Sequence, residues 1–242
     1  MSTYVFVPGG WHGGWCWKRV ASRLRAAGHE VYTPTLTGLG ERAHLLSPSV
    51  NLDTHITDVV GVVRWEDLDD VILVGHSFGG MIITGVADRI PERIATVVYL
   101  DALWPVDGER TSDVIGELTA GSVMAMTADP ERPPLILEAE ATARMLGATD
   151  PEDIAWLASK LTPQPAGAMT QPLGLKHAIG HRPVIYILCA DWQPGPAMEL
   201  SYSRAMQAAA DNPAVKLMTL RAPHNAMVTH PAELTELLLG IG

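Results

Sequence analysis

The sequence is short of cysteine, short of positive charge and without any long apolar run, and each shortage excludes something. Only two cysteines occur, Cys16 and Cys189, far apart in the chain. Two such residues make no disulfide framework, and no Cys/His cluster has zinc-finger spacing. Reduced thiols in a cytoplasmic protein are the simplest reading. Lysine and arginine number 17 against 27 acidic residues, a formal net charge of −10. So acidic a chain repels phosphate backbones and anionic lipid, so neither nucleic acid nor a membrane is an expected partner. No apolar run approaches the roughly 18–20 residues of a membrane helix. The stretch Met1–Gly10 lacks the basic and apolar regions of a signal peptide and reads as a strand opening directly into the domain. Cofactor motifs are missing too. Gly38-Leu39-Gly40 has no third glycine for a dinucleotide loop, no Walker motif is present, and no His-x-x-x-His pair lies on a helix. No cofactor and no metal are therefore expected.

What is present is apolar material in short pieces. Hydrophobic residues make up 47% of the 242, enough for one large core and too much for a disordered chain. The segments Tyr4–Pro8, His29–Pro34, Asp70–Val74, Ile94–Asp101, Pro183–Cys189 and Val215–Arg221 read as strands, rich in Val, Ile, Leu and Tyr. Val71-Ile72-Leu73-Val74 is apolar at every position, the pattern of a parallel strand covered on both faces. Helical stretches fill the gaps. Trp17–Ala27 carries Val20, Ala21, Leu24 and Ala27 at helical spacing, and Asp53–Arg64 carries Ile56, Val59, Val60 and Val63 on one face. Pro196–Ala210 and Pro231–Leu239 each open with the proline that suits a first helical turn. Alternating strands and helices of these lengths predict an α/β fold with a mostly parallel central sheet flanked by helices.

One stretch interrupts the alternation. Residues 105–181 contain helical fragments and proline-rich joints but no convincing strand, with eleven acidic residues against five basic ones. They are expected to form a helical lid inserted into a core made of residues 1–104 and 182–242. An exposed apolar lid is also a surface on which two copies could pair as a homodimer.

The sharpest chemical signal is Gly75-His76-Ser77-Phe78-Gly79-Gly80, placed between the strand Val71–Val74 and the helical run from Met81. Gly-x-Ser-x-Gly in a strand–turn–helix setting is a nucleophile elbow, with Ser77 on the sharp turn and glycines where a side chain would clash with strand and helix. Three further segments join it: Val7-Pro8-Gly9-Gly10-Trp11-His12-Gly13-Gly14-Trp15-Cys16-Trp17, Tyr99-Leu100-Asp101-Ala102 and Ala222-Pro223-His224. On these four segments the chain resembles the α/β-hydrolases. The branch it resembles contains hydroxynitrile lyases, methyl-ester esterases and bacterial carboxylesterases of the pyrethroid-hydrolase type. That branch typically has His-Gly-small-x-His-Gly-small-x-x-Trp in the first segment, and here Pro8 takes the place of the first histidine.

The fold draws oxyanion donors from the residue after the nucleophile and from an early loop, which gives the backbone N–H of Phe78 and, by the resemblance, of Gly10. His224 follows the last strand directly, where the general base belongs; His230, just before Pro231, reads as a helix-start residue. For the orienting acid, Asp191 occupies the slot after Pro183–Cys189, although one residue nearer the cysteine than the resemblance implies. Asp101, at the end of the preceding strand, is the alternative. His12 either lines the pocket or holds the glycine-rich loop. Trp11, Trp104, Met124 and Trp156 are candidates for the pocket wall, with Met145 and Met169 among the lid residues able to line an apolar acyl or aryl pocket.

The resemblance implies a cofactor-free serine carboxylesterase acting on small to medium apolar or aryl esters. Hydroxynitrile cleavage is the alternative within the branch, but those lyases resemble one another in a lysine after the histidine and a threonine in the oxyanion loop. This chain has Asn225 and Gly10 there. A ligand receptor retaining the same fold and residues is the non-enzymatic alternative.

Overall fold

The side chains of each strand alternate between two separate packing layers, and this alternation builds the molecule. In the computed structural model, which describes residues 1–116, 139–177, 182–192 and 196–242, Tyr4 and Phe6 of β1 (Thr3–Val7) pack on one face while Val5 and Val7 pack on the other. The same division holds for Ile72 and Val74 against Val71 and Leu73 in β3 (Val71–His76). It recurs for Val98 and Leu100 against Val97 and Tyr99 in β4 (Ile94–Leu100). Strands with both faces apolar must be covered on both sides, and helices do so here. α1 (Lys18–Ala26) and α10 (Pro231–Leu239) cover one face through Val20, Leu24, Leu234 and Leu238. α2 (Leu52–Trp65) and α3 (Gly79–Arg89) cover the other through Ile56, Val59, Ile82 and Val86. A capping box fixes the start of α2, where the Asn51 side chain accepts from the Thr54 N–H.

The six strands, completed by β2 (Glu30–Tyr32), β5 (Val184–Cys189) and β6 (Val215–Leu220), lie in the order β2-β1-β3-β4-β5-β6. Every pairing is parallel. From β1 the chain steps outward to β2, then returns to lay β3 on the opposite side of β1. The strand order therefore reverses between β1 and β3, and the loops leaving their C-terminal ends diverge to open a crevice there. The glycine-rich loop leaves β1 at that crevice and the serine turn leaves β3.

Between β4 and β5 the described residues form only helices: α4 (Thr111–Ile115), α5 (Ala139–Met145), α6 (Pro151–Ala158) and α7 (Ala166–Thr170). α8 (Pro196–Asp211) packs against β6, and the short α9 (Ala226–Thr229) precedes α10. Among the described residues no helix is long and apolar enough to cross a membrane, and no group of three or more His, Cys, Asp or Glu is placed to hold a metal ion.

Candidate active site

The serine turn is built by exclusion of side chains. A Cβ on Gly75 would lie 2.8 Å from the Gly79 carbonyl oxygen, and one on Gly80 would lie 2.0 Å from that of Leu103. Strand, turn and helix therefore close against one another only with glycine at these positions. The cost falls on Ser77, which is held at φ +53°, a left-handed conformation that a non-glycine residue rarely adopts. Its backbone is fixed on both sides: its N–H donates to Leu100 O (3.3 Å), and its carbonyl accepts from Gly80 N (3.0 Å) and Leu103 N (2.9 Å). The side chain is thereby presented at the start of α3.

Ser77 and His224 line one cavity of about 170 Å³, together with Gly10, Trp11, Phe78, Thr111, Ile115, Met145, Met169 and Trp192. Gly10 and Phe78 are adjacent, since a Cβ on Gly10 would come within 4.0 Å of the Phe78 Cβ. Among the described residues neither of their N–H groups has an acceptor within the protein. Phe78 also stands at the N-terminus of α3, where the helix dipole favours negative charge.

His224 is buried and held on every side. Its Nδ1 donates to Asp101 Oδ2 (2.5 Å), and its carbonyl accepts from His76 Nε2 (3.0 Å). The imidazole lies between the His76 ring, with centroids 4.4 Å apart, and the Trp192 indole, stacked at 4.1 Å. With Nδ1 committed as donor, the Nε2 lone pair is the one left to accept a proton. Asp101 is fully buried at the end of β4 and is itself left-handed, at φ +43°.

Here the structure departs from the sequence expectation for the acid. Asp191 does not meet His224. It lies at the surface in an ion pair with the Arg221 guanidinium (2.8 Å), and its backbone N–H is tied to Ala222 O. Asp191 follows Cys189 by only two positions, and these two bonds hold it at the neighbouring strand end. The carboxylate on the imidazole is that of Asp101, one strand nearer the serine.

The other expected pocket residues divide. Trp11, at φ +65°, lines the cavity, and its N–H donates to Gln164 Oε1 (3.0 Å). His12 does not line the cavity. It is buried behind the loop, donating from Nδ1 to Gly10 O (2.7 Å), with the Asn225 amide against Nε2 (3.4 Å). Burial pushes its pKa down to about 4, with the nearby His224 adding to the effect against the bond to Gly10 O, so at neutral pH the ring is uncharged. Trp104 belongs to the core instead, stacked on Tyr99 with centroids 4.7 Å apart. Trp156 also lies away from the cavity, edge-on to Trp15 and beneath the Arg19 guanidinium. Met124 falls outside the described residues. Trp192 and Thr111 escaped the sequence reading. Neither stands in a recognisable pattern, and only the tertiary fold brings them to the cavity.

The comparisons with known proteins point to one family. The alpha/beta hydrolase family matches residues 4–237. The chain is 38% identical to a carbendazim hydrolyzing esterase of Nocardioides sp. (strain SG-4G), over the full length of both. It is 28% identical to Methylesterase 7 of Arabidopsis thaliana, across 100% of this chain and 96% of the relative. The solved structure of an extracellular alpha/beta-hydrolase from a Paenibacillus species superposes with a TM-score of 0.84 at 25% identity, covering 100% of this chain and 99% of that one. The family model runs from the first strand into the last helix, over the six-stranded parallel sheet described above: the protein belongs to the alpha/beta hydrolase family.

Proposed function

We propose that the protein is a serine carboxylesterase with Ser77 as nucleophile, His224 as general base and Asp101 as orienting acid. The observation that carries this reading is the wall of one cavity. It holds a left-handed serine and a histidine whose Nδ1 is fixed by a buried carboxylate. His224 Nε2 takes the Ser77 proton as Oγ attacks the ester carbonyl, and Asp101 stabilises the imidazolium that forms. The oxyanion is received by the N–H groups of Gly10 and Phe78. The imidazolium returns the proton to the departing alcohol, leaving an acyl-serine. Water, deprotonated by the same histidine, then releases the acid.

Within the proposed lid, 105–181, the described helices α4 to α7 act over this site. In support, Thr111 and Ile115 of α4, Met145 of α5 and Met169 of α7 all reach the cavity wall. An apolar space near 150 Å³ holds about one aromatic ring, so the walls suit an aryl or compact apolar acid. The relatives named methylesterase favour a small alcohol half. Cyanide release from a hydroxynitrile finds no support, because Asn225 is neutral, buried and turned to His12 rather than to the cavity.

The test is hydrolysis of p-nitrophenyl esters from acetate to decanoate, with methyl benzoate added, by wild type and Ser77→Ala. Turnover of the short and aryl esters by wild type alone is expected. Turnover that survives in Ser77→Ala would move the reaction to another residue, and an inert wild type would favour a ligand-binding protein.

A further inference from the structure

The carboxylate that meets His224 is that of Asp101, and a buried carboxylate needs support. Asp101 is fully buried, and its Oδ2 is occupied by His224. Its Oδ1 accepts from the Tyr202 phenol (2.5 Å) and from the Cys189 backbone N–H (3.2 Å). An ionised carboxylate in an apolar interior is expensive unless hydrogen bonds satisfy it. The titratable groups facing Asp101 and His224 are Tyr186 and Cys189 from β5, Tyr202 from α8, His76 from β3 and His12 from the loop after β1. Asp191 lies beyond Cys189 and is already paired with Arg221. None of these is a fixed cation, so the charge of Asp101 rests on the donors to its two oxygens. Tyr202 is the side-chain donor to Oδ1. Its ring is set edge-on to Tyr186 at 5.8 Å, and burial, followed by the charge of Asp101, holds its phenol in the protonated, donating form.

Resting on the esterase reading above, we propose that Tyr202 is a positioning residue of the site: its phenol O–H fixes Asp101 in the orientation that meets His224 Nδ1, so that a hydrogen-bonded chain runs from α8 through β4 to the imidazole. Tyr202 is not among the residues lining the substrate cavity and acts only through Asp101.

Tyr202→Phe removes the O–H and keeps the ring against Tyr186. A hydrogen bond to a charged group carries enough energy for a roughly ten- to hundredfold loss of kcat, with KM nearly unchanged. Asp101 then keeps only the Cys189 N–H on Oδ1, so the acid limb of kcat/KM shifts from its wild-type position. In an Asp101→Asn background the same substitution adds no further loss, as double-mutant coupling requires. A second readout needs no turnover: the downfield proton resonance of the His224–Asp101 bond, assigned by its loss in Asp101→Asn, shifts in Tyr202→Phe. An unmoved resonance and an unmoved acid limb in a folded Tyr202→Phe would overturn the proposal, as would an equal loss in the Asp101→Asn background. Failure of the esterase reading would appear separately, as an inactive wild type or an active Ser77→Ala.

Discussion

At the scale of single residues, the site is defined by which carboxylate holds His224. The Asp101 carboxylate is buried and 2.5 Å from the imidazole, whereas Asp191 is exposed and paired with Arg221. Asp101→Asn should therefore cut kcat by about 10⁴-fold through loss of the correct tautomer. Asp191→Asn should change it less than about twofold, because an exposed ion pair contributes little. Steady-state kinetics on one ester ranks the two, and the opposite ranking would return the role to Asp191. Part of this candidate site was legible in the sequence. Ser77 stood in a glycine-flanked turn between a strand and a helix, and His224 followed the last strand; the structure brings both to one cavity. The carboxylate partner of His224 was not legible, because both candidates are aspartates at strand ends and spacing alone does not say which strand end faces the histidine.

At the scale of elements, the junction of β3 and α3 leaves no room for a side chain. A Cβ on Gly80 would fall 2.0 Å from Leu103 O, and Leu103 is pinned there by its own N–H bond to Ser77 O. Neither backbone can give way without disturbing the serine. Gly80→Ala is expected to destabilise the fold by about 3 kcal/mol, at the upper end of overpacking costs, and to lower kcat in what remains folded. Urea unfolding followed by circular dichroism measures the first. An unchanged midpoint would mean that Leu103 moves freely. All six strands were legible in advance because each is a short run of β-branched and aliphatic residues closed by turn residues. The helices of 105–181 read only as fragments, since α4 and α7 have five residues each and carry no full period of an apolar stripe.

Across the whole molecule, buried histidines couple the fold to pH. Burial lowers the pKa of His12 to about 4 and also lowers those of His55 and His76. The unfolded chain takes up these protons near the ordinary value of about 6.5, while the folded chain refuses them until well below it. Stability is therefore fully present above about pH 6.5 and drains away as pH falls toward 4, with His12 alone costing about 2 kcal/mol at pH 5. Unfolding free energies measured in urea at pH 7.5 and pH 5 should differ by at least that amount. Equal values would mean that these rings are solvated in the native state.

By itself the sequence determined the sheet and the places of the residues proposed as nucleophile, oxyanion donors and base. Each of these is a local event: a hydrophobic period, a glycine excluded from clash, a residue directly after a strand. The tertiary structure alone decided which carboxylate meets His224, its Tyr202 contact, the Trp192 face on His224 and the withdrawal of Trp104 and Trp156 from the cavity. Those contacts join residues that are distant along the chain. Their geometry depends on loop lengths and on the order in which β4, β5 and α8 stack, and no local pattern encodes either.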